Sequence, residues 1–339
     1  MRPSVLIPAA VLALGAVVLA APALGPSDAK ESADRNAPAP PPMKGLKIHE
    51  WGVFRMNGAK FVASGGGEAP TFLQKVKLPP APPPQVRQGK GAGVAADLPI
   101  LHVYAPSPVR LKVKVCFPGG SPTLAWPPAE PGWSSCQEAA PCVDWDVWVQ
   151  DDSINTPAIP PKVPGEHWIS VLRKVGSDLL IGADARRESE HFLFYEGEVD
   201  YKGDVKATMI PGGLALPHLA LSSDSVAEAW SIEADAKGSI LAVRTALAGG
   251  KEVHALVDGL LQTEPKDLQA QLSKALEAAG LTVDEAMALL TIWMPSLTAP
   301  GQRLVYLMPR ASYDAILPIT FDPAPEELVR VGLVVRELP

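Results

Sequence analysis

The chain has only three cysteines and six histidines in 339 residues, and it lacks the short motifs that mark many catalytic centres. No G-x-S-x-G elbow, H-E-x-x-H helix or phosphate-cradling P-loop occurs, which removes the common forms of serine-hydrolase, zincin and nucleotide-binding chemistry. The cysteines, Cys116, Cys136 and Cys142, have no two-residue spacing and no histidine among them, so no zinc site is expected. The DWD and DDSIN segments near residue 150 lack the loop glycine and spacing of a calcium EF-hand. Gly91 to Ala96 fits a dinucleotide fingerprint only in letters, because a proline loop precedes it and Pro99 follows where a helix is needed. An acidic balance, net −7, argues against nucleic acid as a partner.

Long apolar runs are also scarce, and the one present is N-terminal. Arg2, the stretch Val5 to Ala21 and small residues at Ala20, Ala21 and Ala23 read as a signal peptide over residues 1–23, cut after Ala20 or Ala23. The run is Ala-rich and shorter than the about 20 clean apolar residues of a spanning helix, so no transmembrane span is expected after cleavage. A retained, tethering helix is the other reading of the same segment. The chain is therefore expected in the periplasm or outside the cell. Residues 24–43 are small, polar and proline-rich, which is the composition of an extended linker.

What remains is 47% apolar overall but carries 37 prolines and 28 glycines, a balance that favours a sizeable core built from short strands and many turns. In VRLKVKVCF, Val109, Leu111, Val113, Val115 and Phe117 alternate with Arg110, Lys112, Lys114 and Cys116, which predicts a half-buried strand with a basic outer face. Residues 98–105, between Pro99 and Pro106, make a plausible partner strand. Further strands are expected at 46–55, 143–149, 167–172, 190–195, 226–234, 238–246, 305–308 and 328–338, and residues 79–93 read as a long exposed loop. One region breaks the pattern. Leu268, Leu272, Ala275, Leu276 and Ala279 recur at helical spacing up to Gly280; Thr282 and Glu285 then form a capping box before Ala286, Leu289, Leu290 and Trp293, with Pro295 ending the run. The expected fold is mainly β, with β-sandwich-like units and a C-terminal-half αα-hairpin over 265–295, α+β overall. Domains are expected at 44–198 and 199–339.

The phrases HEWGVF at 49–54, LPILHVYAPSPVRLKVKVCFPGG at 98–120, HFLFYEG at 191–197 and PGQRLVYLMPRASYDAILPITFDPAPEELVRVGLVVREL at 300–338 resemble a family of exported bacterial proteins with no established activity. The resemblance implies export and a shared fold, and it transfers no site residue. Such chains more often carry Lys and Arg where His191 and Glu196 stand here.

Charge is unevenly spread. Residues 44–115 carry eleven bases against Glu50, Glu68 and Asp97, a net of +8, while residues 116–339 carry sixteen bases against thirty-one acids, a net of −15. Either the two parts pack together and neutralise each other, the preferred reading, or Arg110, Lys112 and Lys114 offer a basic face to an anionic envelope polymer or a protein partner. Among the cysteines, a Cys136–Cys142 disulfide is preferred, with Cys116 free. Trp145 and Trp148 lie among Asp144, Asp146, Asp151 and Asp152; they either fill the core or form a sugar-binding platform, the first being preferred. His49 and Glu50 fall on opposite faces of a strand, His102 reads as a core histidine, and His167 sits in a loop-like place suited to a base. No cofactor is assigned. The expected role is non-catalytic binding or scaffolding in the cell envelope. The alternative is a hydrolase or metal-dependent enzyme assembled from His49, Glu50 and His167.

Overall fold

The computed structural model describes residues 41–56, 70, 72–81, 93–134, 139–150, 159–163, 165, 167–184, 187–210, 218–247, 249–255 and 263–339. The expected signal peptide, nearly all of the linker, most of the 79–93 loop, Cys136, Asp151 and Asp152 lie outside them. In chain order the elements are β1 (Met43–Met56), β2 (Gln74–Lys75), β3 (Gly93–Tyr104), β4 (Val109–Cys116), β5 (Ser121–Trp126), β6 (Glu130–Trp133), β7 (Pro141–Gln150), α1 (Trp168–Leu172), β8 (Leu179–Gly182), β9 (Ser189–Glu190) and β10 (Leu193–Asp200). There follow β11 (Lys206–Ile210), β12 (His218–Ser222), β13 (Glu228–Ala234), β14 (Ile240–Ala246), β15 (Val253–Ala255), α2 (Pro265–Ala278), α3 (Val283–Leu297), β16 (Gly301–Met308), α4 (Arg310–Ile316), β17 (Ile319–Asp322) and β18 (Pro325–Glu337). The fold is mainly β with the α2–α3 pair near its C-terminal end, α+β overall.

A nine-stranded sheet in the order β14-β13-β16-β18-β1-β3-β10-β5-β2 forms the middle of the molecule. Strand β1 has two apolar faces, which suits a central strand covered on both sides. Ile48, Phe54 and Met56 join a core shared with Leu111, Val113 and Val115 of β4, Val143 and Val147 of β7 and Leu219 of β12. Trp51 and Val53 join a second core with Leu268, Leu272 and Leu276 of α2 and Leu289 and Trp293 of α3. One face of the nine-stranded sheet therefore packs on the sheet β17-β4-β7-β8-β9, which β6 extends beside β7, and on the small sheet β11-β12-β15; the other face carries the helices.

Strand β1 pairs in parallel with β18 and antiparallel with β3. Its pairing with β3 slips between Trp51 and Val53, opposite Ile100 and Asp97, so Leu98 and Pro99 form a bulge. Proline cannot donate to a ladder and is tolerated there, which is why the strand continues through Pro99 instead of starting at it. Where β1 meets β18, Gly332 leaves room for Phe54, because a Cβ at that position would lie 2.8 Å from the phenyl ring.

The boundary expected at 198–199 does not divide the fold. Strands from both sides of it, β1 and β18 foremost, share the nine-stranded sheet, and Pro41–Pro339 form one compact unit. Residues 167–172, expected as a strand, instead form α1 with His167 as its cap: His167 Nδ1 accepts the Ile169 N–H at 3.2 Å, and Trp168, Ile169 and Leu172 turn one helical face inward. The hairpin follows the sequence reading closely. Gly280 takes φ +108 after α2, and Thr282 and Glu285 close a reciprocal capping box on α3. Pro295, however, lies inside α3 and does not end it. Leu297 is fully buried, and Arg303 donates to the carbonyls of Leu297 and Ala299 at 2.8 and 2.6 Å, which holds the last turn in place. Among the described residues, no helix is long and apolar enough to cross a membrane.

The disulfide joins Cys116 to Cys142, in place of the expected Cys136–Cys142 bridge. The two residues are direct cross-strand partners at the end of β4 and β7, with Cα atoms 4.1 Å apart. Cys116 lies at the last residue of its strand and is 9% exposed, buried with Cys142 and Ala140, so its position opposite Cys142 decides the pairing.

Candidate functional site

Neighbouring residues in β1 point to opposite faces, so His49 and Glu50 are separated by the sheet itself. Glu50 is fully buried on the inner face, where its carboxylate binds the Arg330 guanidinium and accepts the Tyr195 hydroxyl at 2.5 Å. Arg330 also donates to Asp314 Oδ1 at 2.7 Å and to the Leu317 carbonyl at 2.8 Å, and its guanidinium lies 4.2 Å from the Tyr313 ring centre. Burial opposes the arginine's charge, but Glu50 beside it more than restores the charge and raises its pKa. This is an ion pair that clamps α4 to β18 and β1. Every strong acceptor on Glu50 is engaged within the protein.

On the helix face, His49 meets Glu285 from the first turn of α3. His49 Nδ1 is 2.9 Å from Oε2, the Tyr104 hydroxyl donates to Oε1 at 2.8 Å, and the Thr282 N–H donates to Oε2 at 2.8 Å. His102, the direct cross-strand partner of His49, puts Nδ1 3.6 Å from Oε1, just beyond hydrogen-bond reach. Burial pulls the Glu285 carboxyl up, yet the two imidazoles and the Thr282 N–H outweigh it and hold it well below the ordinary carboxylate range. Burial pushes His102 down and Tyr104 up. His49 is 5% exposed, His102 and Glu285 not at all. The arrangement pins a helix to a sheet.

His167, the third residue of the catalytic alternative, caps α1 and stacks on Trp168 with ring centres 5.3 Å apart. The three nominated residues thus do separate structural work: a helix pin, an internal ion pair and a helix cap. Among the described residues, no group of three or more His, Cys, Asp or Glu is arranged to hold a metal ion.

Of the nominated binding residues, Arg110, Lys112, Lys114 and Trp148 share one face of the sheet, and Trp145 lies on the other. Residues Arg110, Lys112 and Lys114 of β4 stand on the outward face of the six-stranded sheet, opposite Trp148, Asp146 and Asp144 of β7. Arg110 forms a two-pronged pair with Asp146, both bonds 2.7 Å, and Lys114 reaches Asp144 at 3.3 Å. Lys112 lies between Asp146 and Asp322, its partners on the two flanking strands. The basic row is therefore interleaved with acids, as in the packing reading of the charge imbalance; Lys47 pairs likewise with Glu327 at 2.8 Å. Trp145 faces the core, 2% exposed, and donates its Nε1–H to the Pro127 carbonyl at 2.8 Å. Trp148, three residues on, faces solvent and is 41% exposed.

Just before Trp148, the strand beside β7 changes. Strand β6 pairs with the first half of β7 and β8 with the second half, leaving a gap between them beside Asp146. A concavity of about 220 Å³ occupies the gap, lined by Arg110, Glu130, Asp144, Asp146, Asp184 and Glu188 with Pro127 and Pro128. It adjoins a shallower one of about 530 Å³, bounded by Trp148, Gln150, Asp184 and Arg187; Gly182 and Ala183 line both. Sequence reading found the strand residues of this surface but missed Asp184, Arg187 and Glu188, whose only sequence signal is a polar stretch between two short strands. It also missed Glu285 as a partner of His49, 236 residues away. Compared with known proteins, the chain matches no family model, no curated protein and no solved structure.

Proposed function

We propose that the protein is a non-catalytic binding protein of the cell envelope, and that it holds a hydroxyl-rich, uncharged glycan on the outward face of β4, β7 and β8. The observation that carries this reading is the half-exposed indole of Trp148 at the mouth of a polar groove. A large aromatic plate in a strand is normally buried, and an exposed one offers an apolar surface on which the C–H face of a sugar ring stacks. Gln150, Asp184 and Arg187 surround the indole, and Asp144, Asp146 and Glu130 extend the polar lining, supplying acceptors and donors for ring hydroxyls. Because Arg110 and Lys114 are already paired with acids of the same face, the surface lacks the unopposed positive row that an anionic polymer needs. Export rests on the N-terminal signal-like segment and on the family resemblance.

The catalytic alternative draws less support, since His49, Glu50 and His167 are committed to three separate structural contacts. Affinity electrophoresis of the mature chain through gels containing soluble neutral polysaccharides tests the binding reading. Retardation by at least one polysaccharide, insensitive to salt and weakened about tenfold by Trp148→Ala, is expected. A Trp148→Ala chain retarded as strongly as the wild type, or no retardation by any neutral polysaccharide, contradicts it.

A further inference from the structure

We propose that the junction of His49, His102 and Glu285 is an acid-sensitive latch: protonation of His102 loosens the α2–α3 hairpin from the sheet it covers. The inference does not depend on the glycan reading. Two imidazoles face one carboxylate, and that carboxylate is already spoken for by Tyr104, His49 and the Thr282 N–H. His49 has a second acid at its other edge: Nε2 lies 3.7 Å from Glu327 Oε1 while Nδ1 faces Glu285. His102 has no such outlet. Its ring is fully buried between Trp51 and Phe192, at 5.7 and 6.3 Å between centres, and neither ring nitrogen has a hydrogen-bond partner among the described residues.

The charged and titratable groups around His102 come from every packed element. His102 itself feels Glu285 of α3, His49 of β1 and His191 from the turn before β10; the rest of the junction adds Tyr104 of β3 and Asp284 of α3, with Glu327 of β18 and Lys47 of β1 beyond His49. Of these, Glu285 is the one acid within 4 Å of the His102 ring. A proton on His102 therefore draws Glu285 toward Nδ1, away from Thr282 and His49. That move breaks the capping box, frays the first turn of α3 and weakens the contact of the hairpin with β1 and β3.

The direction agrees with the depression of the His102 pKa by burial. A histidine whose folded pKa lies below its unfolded value stabilises the fold above about pH 6.5, and that contribution is lost as pH falls through the folded pKa. Acid therefore opens the latch and neutral pH closes it.

Hydrogen–deuterium exchange of the full chain, corrected for intrinsic rates and compared at about pH 7.5 and about pH 5.5, tests the proposal. Peptides from 265–297 are expected to lose protection by at least about tenfold at the lower pH, while β4 and β7 keep theirs. His102→Phe keeps a ring against Trp51 and Phe192 but cannot titrate, and should abolish the pH dependence. Equal protection of the hairpin at both pH values in the wild type overturns the proposal, as does an unchanged pH response in His102→Phe. Should that variant not fold, ring resonances of the wild-type chain decide: His102 must titrate at the pH where the hairpin loses protection, and titration elsewhere, or none, refutes the latch.

Discussion

Replacing Glu50 by leucine should be among the most damaging single changes in this chain, and the size of the effect separates a structural carboxylate from a catalytic one. Glu50 is fully buried and its removal strands the Arg330 guanidinium, itself 5% exposed, in the core between the sheets. Breaking one side of a buried ion pair costs about 3–5 kcal/mol. Arg330 keeps its bonds to Asp314 and the Leu317 carbonyl, which argues for the lower part of that range, but Tyr195 also loses its acceptor, a further cost of about 1–3 kcal/mol for a buried hydroxyl. A net loss of about 4 kcal/mol follows, a large share of the 5–15 kcal/mol that stabilises an ordinary domain. Urea unfolding followed by tryptophan fluorescence measures it. The double variant Glu50→Leu/Arg330→Met removes both charges and should recover to within about 2 kcal/mol of the wild type, since apolar replacement of a buried pair is often near neutral. A single variant that loses less than about 1 kcal/mol, or a double variant no better than the single, refutes the clamp.

Two further outcomes are expected. Peptide mapping under non-reducing conditions should recover Cys116 linked to Cys142 with Cys136 left to alkylate, and Cys116→Ser should cost about 3.5 kcal/mol, the loop-closure entropy of the 26-residue separation; a Cys136–Cys142 peptide contradicts this. Changing Arg110, Lys112 and Lys114 together to Ser should lower the thermal midpoint slightly and leave retention on an anionic matrix unchanged. Retention lost at low salt speaks against the paired face.

Much of the fold was legible wherever one short-range pattern decided it. Alternation placed β4 and its outward bases, and helical spacing with a capping box placed the hairpin to within a few residues. Legibility failed where distant partners decide. The segment 167–172 is short and apolar, so its helix depended on a cap from His167 and on the core it enters. Pro295 stays within α3 because Leu297 and Arg303 hold the turn behind it. The domain boundary at 198–199 misled because β18, nearly 300 residues after β1, returns to pair beside it. The same holds for the site. The acids of β7 could be read from the strand, but the preferred core placement of Trp148 is overturned by its exposure, and the Glu285 pin and the Glu50–Arg330 pair join residues far apart in sequence.

The account stands or falls on whether the Trp148 face binds. Hydrogen–deuterium exchange of the chain titrated with the best-retarding neutral oligosaccharide locates the contact directly. The account predicts saturable protection confined to peptides covering 143–150 and 179–184, absent in Trp148→Ala, with the helical hairpin unaffected. Protection centred on the helices or around His49, or saturable binding that survives loss of the indole, contradicts it.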